Sequence, residues 1–507
     1  MAATWTDVGT GFADHGGRNR HGAPSDVVVE PPGDVRCDVA VIGSGPGGAV
    51  TACTLAEAGR DVVLLEEGPL LALEATPAFS AQEMRAKYRN GGITVALGSP
   101  GVNYAEGRCV GGGSEVNSGL YHRTPPDVLD RWRLRFGLEY ASADEMAPHF
   151  AACEDDVSVS PMPGPAPAAS LRLHEGAGRL GWSSIEVPRW YRYAPDGSGD
   201  GVKQSMTRTY VPRATGAGCR LLPDTRVARL GRDAGRWTLR CEPARPGARG
   251  GAFTVRARTV FVATGAFQTP ALLLRSGIRQ NVGRTLHLHP TVKVVARFDD
   301  VVNAAGMGVP VHQVKQFAPH LSFGCSISQP PHLALAMTDH PERIPDVHAE
   351  WPHMAVYYAM SDGGVGRVRT VPGFRDPLVS FALDDADLTL LADGLAKLCR
   401  CLLAAGATVL YPSVRGCPPI RSEADLALLP ALLPRDRTSL MTIHAFSTCP
   451  MGQDQGRTVA DSFGRVHEAI GLHIADASLL CGPPGVNPQG SIMAFARRNA
   501  LAFLDRA

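Results

Sequence analysis

The sequence predicts an α/β fold in two parts: a doubly wound unit on a parallel sheet, assembled from separated chain segments, and an α+β domain on a mainly antiparallel sheet. Three observations carry this. Near the N-terminus, CDVAVIGSGPGGAVTACTLAEAGRDVVLLEEG reads as strand, glycine turn, helix and strand, ending on an acid. From about Thr291 to Pro434 the pattern changes to short strands of another kind, followed by one long helical stretch. The chain then closes on HAFSTCPMG and IADASLLCGPPGVNPQGSIMAFARR, which bring a histidine and an asparagine back toward the first segment.

The size suits two domains or three. At 507 residues the chain exceeds one ordinary core and has interior enough for a large cofactor. Lys+Arg 50 against Asp+Glu 49 leaves a formal charge of +1, so no whole-chain field recruits nucleic acid or anionic lipid. There is no apolar run of about 18 residues and no signal-peptide core, so the expectation is a cytoplasmic protein without a membrane span. The twelve cysteines include no CxxC pair and read as buried free thiols.

Residues 1–33 carry no apolar period and are expected to form a flexible arm. The apolar run 37–43 has the length and continuity of a strand buried on both faces. Ala49 to Ala58 supplies a helix stopped by Gly59, and Asp61 to Leu65 a second strand. The stretch 83–132 reads as an extended loop leading into a second glycine-rich turn, and 151–205 as loop-rich, with PMPGPAPA as linker. Period-two alternation around a Gly/Arg/Pro turn predicts a hairpin that returns to the buried strand TVFVATG. Beyond it TVKVVARF, MAVYYAM, GRVRTV and LVSFAL are predicted strands, and DADLTLLADGLAKLCRCLLAAG a helix with an acidic start and a glycine stop.

Gly43, Gly45 and Gly48 form G-x-G-x-x-G between strand and helix. The first permits the tight turn, the second lets backbone approach a pyrophosphate, and the third lets helix and strand pack closely. Phosphates then meet unpaired amides at the positive helix end, where Pro46 occupies the first turn. Glu66 follows Gly48 by 18 residues, at the end of the second strand, in place to accept ribose hydroxyls. Glu67 competes for that role with poorer register. Together these define a Rossmann-type dinucleotide site. A second cluster, GRCVGGGSEVNSGLYHR at 107–123, is rich in small residues, as a backbone pressed against a flat ligand requires. A third, TVFVATGAFQTPALLLRSGI, is strand, turn and a helix with Pro270 in its first turn.

In combination these segments resemble the glucose–methanol–choline (GMC) oxidoreductases, short bacterial type, from about Val35 to the end of the chain. After the glycine turn, five separated motifs occur in family order: the two clusters above, VGRTLHLHP, HAFSTCPMG and the closing IADASLL…GVNPQGSIMAFARR. Arg279 replaces the usual last glycine of the third cluster. The resemblance implies a discontinuous FAD-binding domain over 34–150, 206–290 and 435–507, and a substrate-binding domain over 151–205 and 291–434. It implies FAD with its pyrophosphate on Gly43 to Gly48, its ribose on Glu66 and its adenine beside Val227. Arg108, Val110, Gly111, Gly112, Ser114, Asn117, Gly119 and Leu120 would line the flavin, with Asp476, Ala477 and Pro488 around ribitol and ring. Val116 stands where some members carry a flavin-linking histidine, so non-covalent FAD is expected.

The same resemblance makes His444 the catalytic base and Asn487 its partner. An alcohol gives up hydride poorly while its oxygen is protonated, so a base at the oxygen is what the chemistry needs. The amide of Asn487 can hydrogen-bond a developing alkoxide without titrating. His287 and His289 alternate like metal ligands but lack a third, so they are read as packing residues and no metal is expected. His122 and Arg123 are candidates to touch substrate. The expected reaction is oxidation of a CH–OH group of a sugar, aminocyclitol or other hydroxylated metabolite, with oxygen or another acceptor reoxidising FAD. The alternatives are a long-chain alcohol, or redox-neutral lyase or decarboxylase chemistry.

Overall fold

The computed structural model describes residues 34–92, 94–197, 201–244 and 251–506. The arm at 1–33 and most of the Gly/Arg/Pro turn (245–250) lie outside them. Val35–Ile42 is the centre of a seven-stranded sheet and pairs in parallel with Phe253–Val262 on one side and Val62–Leu65 on the other. Its near-continuous apolar sequence follows from that place, because both faces are covered. The full order is Thr225–Asp233, Arg236–Pro243, Phe253–Val262, Val35–Ile42, Val62–Leu65, Arg220–Leu222, with Leu472–Ile474 added in parallel on Phe253–Val262. The predicted hairpin is thus present, as antiparallel pairing of Arg236–Pro243 with both neighbours.

The two chain ends meet here. Helix Pro46–Glu57 packs against the C-terminal helix Gln489–Leu504. A Cβ on Gly47 would fall 1.8 Å from the Ala475 carbonyl oxygen, so the first helix can seat on the C-terminal segment only without a side chain there.

The second sheet has nine strands and is antiparallel except where Val102–Tyr104 runs parallel to Leu440–Thr442. Thr291–Arg297, Met354–Ser361, Leu321–Cys325 and His312–Val314 form its middle, and Ser184–Glu186 closes one edge. One face carries Val292, Val294, Phe323, Tyr357 and Ala359 into a second core against helices Asp385–Ala404 and Ala168–Arg179. Helix Asp385–Ala404 starts at Asp384, whose side chain accepts from the Asp387 amide at 2.8 Å, and buries Leu388, Leu391, Leu395, Leu398 and Leu402 at helical spacing. Burying each such leucine contributes roughly 1.5–3 kcal/mol.

Several expectations are corrected. The predicted strands GRVRTV and LVSFAL pair with each other as a separate two-stranded unit, Val365–Arg369 with Leu378–Ala382, and do not enter the large sheet. Strands Thr94–Ala96, Val102–Tyr104 and Leu440–Thr442, within segments assigned to the cofactor domain, are hydrogen-bonded into the second sheet. Three-residue strands are too short to show a period. The supposed extended loop at 83–132 is entered by helix Ala81–Lys87 and ends within helix Pro126–Phe136. Ser80 caps the first by accepting from the Glu83 amide, and Pro126 opens the second. The loop-rich stretch 151–205 likewise contains helix Ala168–Arg179. All twelve cysteines are unpaired and buried.

Candidate active site

The glycine turn divides its labour as the sequence implies. Gly43 has φ +98°, and a Cβ there would meet the Ala263 carbonyl oxygen at 2.2 Å. A Cβ on Gly48 would meet the Gly43 oxygen at 1.9 Å, so this residue holds helix against strand. Gly45 is different: its nearest neighbour would be Gly112 at 3.9 Å, and the space belongs to a cavity. No side chain caps helix Pro46–Glu57, and its first turn holds no acid. Its N-terminal amides therefore suit the phosphates of a dinucleotide.

Glu66 closes the turn from the second strand. One carboxylate oxygen accepts from the Ser44 amide (3.0 Å) and hydroxyl (2.8 Å), the other from the Gly68 amide (2.8 Å). Burial raises its pKa against these bonds. Ser44 Oγ also accepts from the Gly111 amide at 3.0 Å, which joins the first glycine motif to the second. Glu67 faces Arg89 at 2.8 Å and Arg108 at 3.4 Å; burial pushes its pKa up, but the guanidiniums hold it below the ordinary carboxylate range.

One cavity gathers most of the predicted residues. Gly43, Gly45, Pro46, Glu66, Gly112, Asn117, Gly119, Leu120, Val227, Asp476, Ala477 and Pro488 line it together with His444 and Asn487. Five predicted residues stand outside the wall. Gly48 packs behind it, and Val110 enters the first core. Gly111 bonds Ser44, and Ser114 donates to the Gly111 carbonyl at 2.8 Å. Arg108 bonds the Ala244 carbonyl at 3.1 Å and faces Glu67. Asp476 accepts from the Gly265 amide at 2.8 Å and from Thr269, tying the third glycine turn to the C-terminal segment.

His444 and Asn487, 43 residues apart, lie side by side with Nε2 and Nδ2 at 3.3 Å. Gln313 Nε2 donates to Asn487 Oδ1 at 3.2 Å, which turns the Asn487 amide hydrogens toward His444. On its other side His444 Nδ1 is 3.0 Å from Nδ1 of His289. With these amide orientations the chain of bonds has one consistent polarity: Gln313 to Asn487, Asn487 to His444 Nε2, and His444 Nδ1–H to His289. The single lone pair of His444 Nε2 then points at the Asn487 amide, at the cavity wall, where a substrate hydroxyl could take that amide's place. Burial first, and Lys315 second, lower the His444 pKa to about 4, so the ring is neutral at pH 7. The His444 amide donates to Thr442 Oγ1 at 3.0 Å and fixes the backbone.

Some neighbours differ from expectation. His289, read as packing, contacts His444 directly and is buried with Nε2 unpartnered. His287 faces the Gly364 carbonyl at 3.2 Å, away from the pair. Among the described residues no cluster of potential metal ligands occurs. His122 has both ring nitrogens buried and unpartnered, and burial lowers its pKa to about 3. It sits where the C-terminal helix begins, since a Cβ on Gly490 would meet its carbonyl oxygen at 2.3 Å. Arg123 instead turns to Glu154 at 2.6 Å. Gln313 was not legible in advance because its three-residue strand matches no motif.

A Rossmann-type cradle opening onto a neutral histidine and an amide defines a dinucleotide-dependent oxidoreductase. The GMC oxidoreductase N-terminal domain matches residues 84–291, its C-terminal domain 365–496, and a Rossmann-like NAD(P)-binding domain 41–95. The chain belongs to the GMC oxidoreductase family and is an FAD-dependent alcohol oxidoreductase. It is 38% identical over 482 residues to an uncharacterised GMC-type oxidoreductase, y4nJ, of Sinorhizobium fredii, covering 93% of this chain and 95% of that one. It is 26% identical to the long-chain-alcohol oxidase FAO3 of Arabidopsis thaliana (91% and 67% covered) and to paromamine 6'-oxidase of Streptomyces fradiae (92% and 91%). The fold matches pyridoxine 4-oxidase from Mesorbium loti with TM-score 0.70 at 18% identity, over 92% of this chain and 99% of that one. Among the described residues no helix is long and apolar enough to cross a membrane.

Proposed function

We propose that the protein oxidises a CH–OH group of a small, polar hydroxylated molecule to a carbonyl, with His444 as general base. The observation that carries this is the hydrogen-bonded row Gln313, Asn487, His444, His289, which leaves one basic nitrogen beside one amide donor. A substrate hydroxyl entering the 3.3 Å contact would donate to His444 Nε2 and accept from Asn487 Nδ2. As the proton moves to His444, the amide stabilises the negative oxygen without itself changing charge. His289 accepts from Nδ1–H and so supports the imidazolium that forms. Bound FAD supplies the hydride acceptor.

Gly43, Gly45, Pro46 and the open helix end would hold the pyrophosphate, Glu66 the ribose, and Gly112 to Leu120 with Pro488 the ring. We take the FAD to be non-covalent, since the position of the flavin-linking histidine holds Val116, which has no nucleophile. The buried polar groups around His444 favour a hydroxylated metabolite. Likeness to a long-chain-alcohol oxidase over most of the chain favours the second reading, a fatty alcohol.

An anaerobic titration of the holoenzyme with a polyol, an aminosugar, choline, an aryl alcohol and a fatty alcohol tests this. Bleaching of the flavin band by a polar alcohol is the expected result, and the rate of recovery in air separates oxidase from dehydrogenase. Bleaching by the fatty alcohol alone selects the second reading. A chemically reducible flavin that no alcohol bleaches would contradict both.

A further inference from the structure

The sheet face that looks toward His444 and Asn487 carries two lysines that the network above does not use. Lys315 directly follows strand His312–Val314 and its amide continues the ladder to the Ser183 carbonyl at 3.0 Å, so alternation puts it on the same side as Gln313, which reaches Asn487. The intervening residues turn the other way: His312 contacts Ser170 at 3.0 Å and Val314 enters the second core. Pairing carries this side across the sheet, with Gln313 opposite Gly324, Gly324 opposite Tyr358, and Tyr358 opposite Lys293. The Tyr358 hydroxyl lies over Gly324, where a Cβ would come within 2.3 Å of it.

Both side chains are half-buried, and desolvation alone drives their pKa values down to about 8. Among the described residues neither meets a carboxylate or any hydrogen-bond acceptor. Unused polar atoms lie within reach of the Lys315 charge: His289 Nε2 and both nitrogens of His122 are buried without partners. The field of Lys315 reaches His444, His289 and His122, depressing all three, so this cation stands at the reacting end of the site. A half-buried cation without a counter-charge is a ready partner for a bound anion.

We propose that the substrate is an anionic alcohol, a hydroxy acid or a phosphorylated alcohol, whose carboxylate or phosphate pairs with Lys315 while its hydroxyl lies on His444 and Asn487. The inference rests on the alcohol-oxidation reading and concerns which alcohol is taken. The C–H and O–H bonds of the carbinol break, hydride going to FAD and the proton to His444. A C=O bond forms and the acidic group leaves unchanged. Lys315 offsets the charge of that group, which would otherwise oppose removal of the hydroxyl proton.

The test uses the holoenzyme and matched probes with butyl and hexyl chains. Perturbation of the flavin band by the carboxylate, the alkyl phosphate and the plain alcohol gives three affinities without turnover. The hydroxy acid, hydroxyalkyl phosphate and diol then report bleaching. One of the anions should bind at least about tenfold more tightly than the plain alcohol, as a buried charge-assisted pair implies, and the stronger of the two identifies carboxylate or phosphate. Lys315→Met should bring anion and alcohol affinities close together, whereas Lys315→Arg should keep them apart. Equal affinities in the unaltered enzyme would overturn the proposal even if the diol bleaches the flavin. Selective anion binding without bleaching by any hydroxylated probe would uphold the anion site and instead overturn the oxidation reading.

Discussion

The two halves of the site are built from opposite materials. In the cofactor half the side chains are missing on purpose. Gly43, Gly47 and Gly48 bring backbone to within distances no Cβ permits, and a helix end without a cap supplies the binding groups. In the substrate half, side chains do everything: Gln313 orients Asn487, Asn487 faces His444, and His289 backs it. A cradle made of backbone constrains sequence to glycine at fixed spacing and tolerates almost no change. A wall made of side chains on a sheet tolerates exchange and sets what the enzyme acts on.

That difference predicts unequal responses to small lesions. Gly48→Ala sets a Cβ against a backbone oxygen at 1.9 Å, which neither element can yield, and should cost about 3 kcal/mol or more with loss of FAD. Gly45→Ala, in an ordinary φ of −64° with 3.9 Å of clearance, should leave thermal stability nearly unchanged and weaken FAD binding alone. Equal melting temperatures for the two variants would break the distinction between packing and approach. In the other half, Gln313→Leu should retain FAD and lower the rate of flavin reduction by about ten- to a hundredfold, through a misturned Asn487. Loss of FAD in that variant would show that the sheet supports the cofactor rather than the substrate.

Both halves share a pH dependence. His122, His332, His444 and His473 are depressed from 6.5 to between about 3 and about 4, in each case chiefly by burial. Below pH 6.5 the unfolded chain takes up protons that these folded imidazoles refuse. Their contribution is therefore complete above pH 6.5 and is lost as pH falls toward 4, at up to roughly 1.4 kcal/mol per unit for each. Thermal midpoints measured between pH 7 and 4.5 should fall steadily. A flat profile would mean that these rings titrate normally.

Legibility followed the same division. The strand–turn–helix–strand from Val35 to Glu66 was readable because buried parallel strands and glycine turns leave a local mark. Glu66 was separable from Glu67 by register alone. His444 and Asn487 were found through motif resemblance, since a histidine's surroundings leave no local trace. Gln313 and Lys315 had no signal: the strand that holds Gln313 and ends just before Lys315 is three residues long and pairs with Ser184–Glu186, more than a hundred residues away. His289 was discounted because alternation with His287 is a property of the strand, whereas its contact with His444 is made across 155 residues.

The central claim is that His444 takes the proton while the glycine cradle independently holds the cofactor. Anaerobic stopped-flow reduction of the flavin, by whichever alcohol bleaches the unaltered enzyme, compared with His444→Ala at matched FAD content, tests both parts together. The account predicts full FAD occupancy in the variant and reduction slower by about two to four orders of magnitude. Reduction at an undiminished rate, or a variant that no longer retains FAD, would contradict it.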